Sequence, residues 1–310
     1  MTALNLAFQN DWQLLLTGTD AYSDLLRTWV AIMLVTVAVC FVVGELTKNY
    51  SQVDKIWSLM PIVYAGVTLY AFPSSPRIWL MAVLVTLWGA RLTYNFYRKG
   101  GYNIIPWKGE EDYRWEVLRQ KPQLKGFRMV LFNLLFISFY QQALIILFTT
   151  PLLLAAKNQS AGLSTLDVVA TVALLLLLYI ETTADNQLFA FHQQKQNKAA
   201  RDGRFSKSLE KGFMVDGLWK YVRHPNFAAE QSIWVVFYLF SVAASGEWIN
   251  WSISGALLLI ILFKGSSDFT ESISAQKYTK YKTYQQSVPR FIPLTFCRKQ
   301  DEEEKKRSIN

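Results

Sequence analysis

Long apolar blocks, separated by polar and heavily charged stretches, organise this chain. Seven of them, at residues 29–44, 56–72, 78–97, 129–149, 166–180, 232–244 and 248–263, meet or approach the roughly 17–25 apolar residues that carry a helix across a bilayer. The apolar residues form continuous runs rather than a stripe, so these helices should be apolar all round. The fifth and sixth blocks are short and continue into polar residues at one end. The pattern predicts an all-α, polytopic membrane bundle of about seven transmembrane helices. Residues 1–27 form a non-cytoplasmic segment, 28–296 the membrane domain and 297–310 a charged, disordered cytoplasmic tail.

Charge changes the picture by giving the bundle a direction. Eight Lys and Arg lie between residues 98 and 128, eight between 181 and 223, ten after 263, and two between 45 and 55. The other connections carry only Arg27, Arg77 and Lys157. With seven crossings the rich connections fall on one side. Positive residues stay cytoplasmic, so the N-terminus is expected on the lumenal side and the C-terminus in the cytoplasm. The start of the chain carries acidic residues and no basic stretch before its first apolar run, which does not read as a signal peptide. Asn158-Gln159-Ser160, in an expected lumenal loop, is a glycosylation triplet of a kind common by chance.

Composition excludes several classes. The 310 residues are 52% hydrophobic and 18% charged, with a mean hydropathy of +0.15, too apolar for an ordinary soluble domain. The net charge of +9 suits anionic headgroups or nucleic acid. Its distribution favours membrane lipids as partners and leaves no nucleic-acid role. Cys40 and Cys297 lie far apart and make neither a metal spacing nor a disulfide framework. Only two histidines are present, which argues against a histidine-rich di-iron centre, and no metal is expected. No glycine-rich nucleotide loop, phosphate-binding loop or serine-hydrolase elbow occurs.

Four polar stretches carry candidate chemistry. Glu181, Asp185, Leu188 and His192 recur at helical spacing where the fifth apolar block ends, so the ionisable groups share one stripe. Carboxylates there should face the bundle interior or a hydrated cavity; a solvated helix end is the alternative. In Gly217-Leu-Trp-Lys-Tyr-Val-Arg223-His224-Pro225-Asn226-Phe227-Ala-Ala-Glu230, Pro225 suits the first position of a helix. Arg223 and His224 would then stand where free N–H groups and the helix dipole favour an anion. The milder reading makes them interfacial anchors and Asn226 a cap. Gly109-Glu-Glu-Asp112-Tyr113-Arg114-Trp115 is either a site or a solvated loop. From Glu271 to Pro293, Lys277, Tyr281 and Tyr284 share a helical face that could hold phosphates or lie on the bilayer surface. Arg91, inside an apolar block, either snorkels or pairs with a buried acid.

These residues carry a resemblance. The chain resembles the steroid 5α-reductase C-terminal superfamily, in its branch of short multi-span proteins. The matching pieces are Asp54-Lys-Ile-Trp57, Trp88-Gly-Ala-Arg91-Leu92, residues 109–115, and Glu181-x-x-Ala-Asp185-x-Gln187-x-x-x-Phe191. The Arg-His-Pro-Asn stretch into Glu230 follows, then Glu271, Tyr278, Tyr281 and Tyr284 into Phe291-Ile292-Pro293. Together they cover residues 51–294. The resemblance implies seven helices, with NADPH held near the C-terminal ones on the cytoplasmic side. Glu181, Asp185 and Gln187 would face its ribose or amide groups, and Arg223 and His224 its phosphates. Asn226 and Glu230 would hold the nicotinamide half, and Tyr278 and Tyr281 would close over it. The implied reaction is hydride transfer to an electron-poor C=C of a sterol-like lipid at the endoplasmic reticulum, with Asp54 and Tyr94 as the nearest catalytic candidates. Two positions depart from the pattern: Ala229 replaces a usual glycine, and His192 an arginine whose charge Lys195 would supply. A membrane S-adenosylmethionine-dependent methyltransferase, which shares an Arg-His-Pro element, and a non-catalytic complex subunit are the competing expectations.

Overall fold

The computed structural model describes residues 13–105, 107–197 and 203–293. The expected tail at 297–310 and the first twelve residues of the N-terminal segment lie outside them. Among the described residues every regular element is helical: α1 (Ala21–Thr47), α2 (Gln52–Trp57), α3 (Met60–Ala71), α4 (Pro76–Arg98), α5 (Tyr113–Arg119), α6 (Phe127–Thr149), α7 (Pro151–Lys157), α8 (Thr165–Gln196), α9 (Ser206–Lys211), α10 (Pro225–Ser245), α11 (Ile253–Lys277) and α12 (Tyr281–Ser287). Short 3-10 turns fill some connections. Five of these, α1, α6, α8, α10 and α11, are long and apolar enough to cross a membrane, which points to an integral membrane protein. The second and third apolar blocks became α3 and α4. Twelve residues in α3 reach about 18 Å, short of a hydrocarbon core about 30 Å thick. The 23 residues of α4 include Arg91, Asn95 and Arg98.

The contacts define two compact units, one of residues 1–175 with 234–259 and one of 176–233 with 260–310. In the first, local chemistry starts each helix. Asp20 accepts from the Ser23 N–H at 2.8 Å to begin α1, and Ser75 caps α4 ahead of Pro76, as helix N-termini favour. Its core is aromatic: Trp234 meets Phe148 at 4.1 Å and Trp88 at 4.8 Å between ring centroids. Close approach uses glycine. A Cβ at Gly255 would stand 2.2 Å from the Leu147 carbonyl carbon, and one at Gly89 2.5 Å from the Ser58 oxygen, the small-residue packing of membrane helices. Outward faces are apolar, as Leu34, Val35, Val39 and Val42 on α1 and Val168, Val169 and Val172 on α8 show. Buried polar side chains with exposed valines and leucines are the reverse of a water-soluble surface, and match lipid as the solvent.

Residues 133–140 of α6 form a π-helical segment. The wider turn sets Ser138 Oγ on Asn133 Oδ1 at 3.2 Å, while Asn133 Nδ2 donates to Glu45 at 2.9 Å. Asn158 caps the end of α7 and its Nδ2 donates to the Leu154 carbonyl. At the start of α8 Arg77 and Asp167, each 1% exposed, form a two-pronged pair at 2.8 and 2.9 Å. The Arg77 guanidinium also donates to the Ala161 and Gly162 carbonyls, and Asp167 accepts from Ser164.

In the second unit, the ends of α8, α10 and α11 come with α9, α12 and their connecting turns. Phe191, Phe205, Met214 and Trp219 form one apolar cluster. Phe213, Val215, Tyr281 and Tyr284 form another.

Candidate functional site

The second unit gathers most of the residues singled out in the sequence. Helix α8 carries the carboxylate stripe from inside to outside: Glu181 and Asp185 are each 3% exposed, and His192, two turns on from Asp185, is exposed. Pro225 opens α10 as its restricted backbone suggests, which aims Asn226 at α8. Asn226 Nδ2 donates to Asp185 Oδ1 at 3.2 Å. Glu230 follows one turn later and is 5% exposed. Asn226 Oδ1 is buried and accepts no hydrogen bond among the described residues. A buried acceptor in this position suits a donor such as an amide N–H or a sugar hydroxyl.

Gln187 does a structural job. Its Oε1 accepts from the Leu218 N–H at 2.9 Å, beside Gly217, whose φ of +62° suits glycine. A Cβ at Gly217 would stand 2.4 Å from that same Oε1. Farther along α8, Lys195 Nζ donates to the Gly212 carbonyl at 2.5 Å and the Tyr278 hydroxyl at 2.9 Å. It also lies 5.0 Å from the Tyr278 ring centre. Lys195 is exposed, so its charge is reachable by an anion.

Arg223 and His224 stand at the helix start, and the structure engages both internally. Arg223 Nε donates to Glu271 Oε1 at 2.7 Å and Nη2 to Oε2 at 3.3 Å. Its Nη1 donates to the carbonyls of Gln285, at 2.8 Å, and Val288. His224 Nε2 lies 2.9 Å from Glu271 Oε1. Their backbone N–H groups donate to the Pro289 and Arg290 carbonyls at 2.9 and 3.1 Å. Gln285 and Arg290 complete the hub on Glu271 Oε2, and Arg290 also bridges Asp268. Of the five guanidinium N–H groups of an arginine, four have protein acceptors here. The pair thus holds the chain's 285–290 segment against the start of α10.

The terminal tyrosines meet around a residue that sequence reading passed over. Phe213 lies 5.5, 4.9 and 5.5 Å from the rings of Tyr278, Tyr281 and Tyr284. The expected single helix through 271–293 breaks between α11 and α12, so Lys277 does not share a helical face with Tyr281 and Tyr284. Tyr281 is 6% exposed, and burial pushes its hydroxyl up to about 12. Burial also raises Tyr284, whose hydroxyl donates to the Trp219 carbonyl at 2.5 Å. Phe213 carries no periodic or charge signal that marks it in the sequence. Glu271 was visible only as the first residue of the tyrosine repeat.

The two catalytic candidates belong to the first unit. Asp54, half-buried, accepts from the Trp115 indole N–H at 2.9 Å. Burial raises its pKa, and the nearby Asp112 charge adds to the rise. Asp112 caps α5 and chelates Arg114; against the cost of its burial, the Arg114 hydrogen bond holds its pKa below the usual carboxylate range. The 109–115 stretch is therefore a folded partner of α2, with Asp112 N–H donating to Ser51 Oγ and Tyr50 N–H to Glu111. Lys55, 5% exposed, donates to the Lys108 carbonyl at 2.9 Å. Tyr94 is 62% exposed, with Arg98 5.7 Å from its ring centre. Among the described residues no group of three or more His, Cys, Asp or Glu is arranged to hold a metal.

Comparison with known proteins adds the family. The model of a family described as "Protein of unknown function (DUF1295)" matches residues 40–288. The chain belongs to that family. An uncharacterized protein of Schizosaccharomyces pombe is 38% identical over 259 residues, covering 80% of this chain and 73% of the relative. No solved structure matches. The family match takes in parts of both units and every site residue named above except Pro289 and Arg290.

Proposed function

We propose that this family member is a membrane oxidoreductase that uses NADPH to reduce an activated C=C bond of a lipid, in keeping with its resemblance to the steroid 5α-reductase superfamily. The observation that carries the reading is the Asp185–Asn226 bridge between α8 and α10, with buried Glu181 and Glu230 one turn away and the Asn226 oxygen unmatched. These are acceptors, and the ribose hydroxyls and carboxamide of a nicotinamide nucleotide are donors. The phosphates are better assigned to Lys195 and the Tyr278 hydroxyl, since the donors of Arg223 are taken up by Glu271 and two carbonyls.

NADPH, when bound, supplies a hydride for the β-carbon of the alkene. The protein's part on this reading is to orient the nucleotide through Asp185 and Asn226 and to exclude water by the apolar packing of α8 and α10. The same reading sets the helices as seven crossings of the endoplasmic reticulum membrane, with a lumenal N-terminus and a cytoplasmic C-terminus. Membrane lipids and a lipid substrate are the partners.

The test is direct binding of NADPH and of S-adenosylmethionine to the purified protein in detergent. NADPH should bind, weakening about tenfold in Lys195→Ala, the loss of one charge-assisted contact. Asn226→Leu should weaken it too, with some loss of unfolding temperature because buried Asp185 loses a donor. Binding of S-adenosylmethionine alone would replace this reading with a methyltransferase, and binding of neither would leave a non-catalytic subunit.

A further inference from the structure

Between α4 and α5, in the first unit, the chain makes a closed loop that turns polar groups inward and holds apolar side chains out. Its base is shut by the Glu110 N–H, which donates to the Gly100 carbonyl at 3.0 Å. Gly109 allows that closure: its φ is +129°, and a Cβ there would stand 2.4 Å from the Gly101 carbonyl oxygen. On the inner side, three side chains from residues 49–55 take three successive carbonyls. Gln52 Nε2 donates to that of Trp107 at 3.1 Å, Lys55 Nζ to that of Lys108 at 2.9 Å, and Asn49 Nδ2 to that of Gly109 at 3.1 Å. The Tyr102 hydroxyl donates to the Lys55 carbonyl at 2.6 Å, with its ring edge-on to Phe96. Asn103 Oδ1 accepts from the Ile105 N–H at 3.1 Å, and the Lys108 N–H donates to the Ile105 carbonyl at 2.9 Å.

A loop so firmly held nevertheless leaves Ile104 fully exposed and Ile105 and Trp107 exposed as well. Apolar side chains kept outward on a fixed frame suit a partner that is itself apolar. Two observations say which one. The first is the helix that leads into the loop. Trp79, Val83, Leu87, Tyr94 and Tyr97 are the exposed large side chains of α4, and helical spacing puts them on one face. Trp79 and Tyr97, 18 residues apart, are separated by about 27 Å along the axis, close to a hydrocarbon core of about 30 Å. Aromatic rings at both ends with aliphatic residues between them are the belts of a bilayer-facing helix. The loop starts three residues beyond Tyr97, at the headgroup end of that face. The second observation is charge. Lys99 and Lys108 are exposed on the loop's flanks against one exposed acid, Glu110, a balance that favours anionic headgroups.

We infer that the α4–α5 loop is a preformed interfacial anchor. Ile104, Ile105 and Trp107 enter the boundary between headgroups and acyl chains, and Lys108 meets the phosphate of an anionic phospholipid. Its occupant is the membrane surface. Since the clamping side chains of Gln52 and Lys55 belong to α2, which also carries Asp54, the anchor fixes the height of that short helix at the bilayer. The inference rests on α4 being a crossing, as in the seven-helix reading, and is independent of NADPH.

The experiment places a nitroxide on the full chain at Ile104→Cys, Val83→Cys or Gln120→Cys, one at a time, with Cys297→Ser and with Cys40 left in place because it is buried. All three positions are exposed, so labelling disturbs no packing. Collisions with oxygen and with a water-soluble nickel chelate then give the depth of each label in vesicles of phosphatidylcholine, with and without phosphatidylserine. Val83 should lie deep, Ile104 about 5–10 Å into the headgroup boundary, and Gln120 in water. Phosphatidylserine should draw the Ile104 label deeper, and Lys108→Gln should abolish that shift. A label at 104 as open to nickel as the one at 120 would overturn the anchor and leave the apolar tip to a soluble partner. A depth at 104 that phosphatidylserine does not change, or changes equally in Lys108→Gln, would overturn the headgroup contact. A Val83 label in water would take α4 out of the bilayer, and the anchor would fall with that crossing. NADPH binding measured on the same samples keeps these outcomes apart from the fate of the reductase reading.

Discussion

Each unit buries an arginine–carboxylate pair, and the two pairs do different work. In the first unit Arg77 and Asp167 are both 1% exposed and join the starts of α4 and α8, 90 residues apart, with the remaining arginine donors spent on carbonyls 161 and 162. In the second unit Glu271, 2% exposed, takes Arg223, His224, Gln285 and Arg290 together. One pair pins the turn before α8 to the start of α4. The other gathers four side chains on one carboxylate, two of them 47 and 48 positions before it, and fixes where the chain's last described segment runs. The difference teaches that an Arg-His pair at a helix start is not by itself an anion site: an acid elsewhere in the sequence can claim it first.

The sharpest way to break the comparison is to remove each acid. Glu271→Ala and Asp167→Ala should each cost about 3–5 kcal/mol, since a buried arginine is left uncompensated, read as a loss of unfolding temperature in detergent. Only Glu271→Ala should also open residues 285–290 to limited proteolysis. Equal protection of that segment in both variants would show that the hub does not hold it. Gly217→Ala should come next, at about 1–2 kcal/mol, because a left-handed backbone acquires a Cβ that also pushes against Gln187. Tyr284→Phe should cost about 1 kcal/mol through the unpaired Trp219 carbonyl, and a neutral result would mean that the Phe213 cluster alone seats α12. The smallest effect belongs to the first unit. The Asp54 carboxyl is raised by burial, so its protonated form is favoured in the folded protein. Its contribution is full at low pH and is lost as pH rises through its folded value. Asp54→Asn should therefore be more stable than the natural protein at pH 7, and the gap should close as pH falls toward the ordinary value of 3.8. A gap that widened in acid would reverse the assignment.

Much of the helical architecture was legible because apolar run length is a one-dimensional property. The blocks at 29–44, 129–149, 166–180 and 232–244 are contained in helices long enough to cross a membrane, and most of 248–263 lies in one that begins at Ile253, with several running on for up to about four turns at their polar ends. The block at 56–72 was harder, because Trp57 and Met60 belong to separate helices and run length does not register the break at Ser58, which only Pro61 at the start of α3 marks. The carboxylate stripe and the helix start at Pro225 were legible too, since helical spacing and proline geometry are local rules.

What the sequence alone determined, then, is an apolar helical chain with its positive charge on one set of connections and with Glu181, Asp185, Asn226 and Glu230 on the helices that meet. Only the tertiary structure decided which partners those side chains take. Arg223 goes to Glu271, 48 residues away, three tyrosines converge on Phe213, and Gln142 keeps an unmatched amide beside Thr36. Run length and periodicity act over a few turns of one helix, whereas satisfaction of a buried charge or donor depends on which distant group the fold brings within 3 Å.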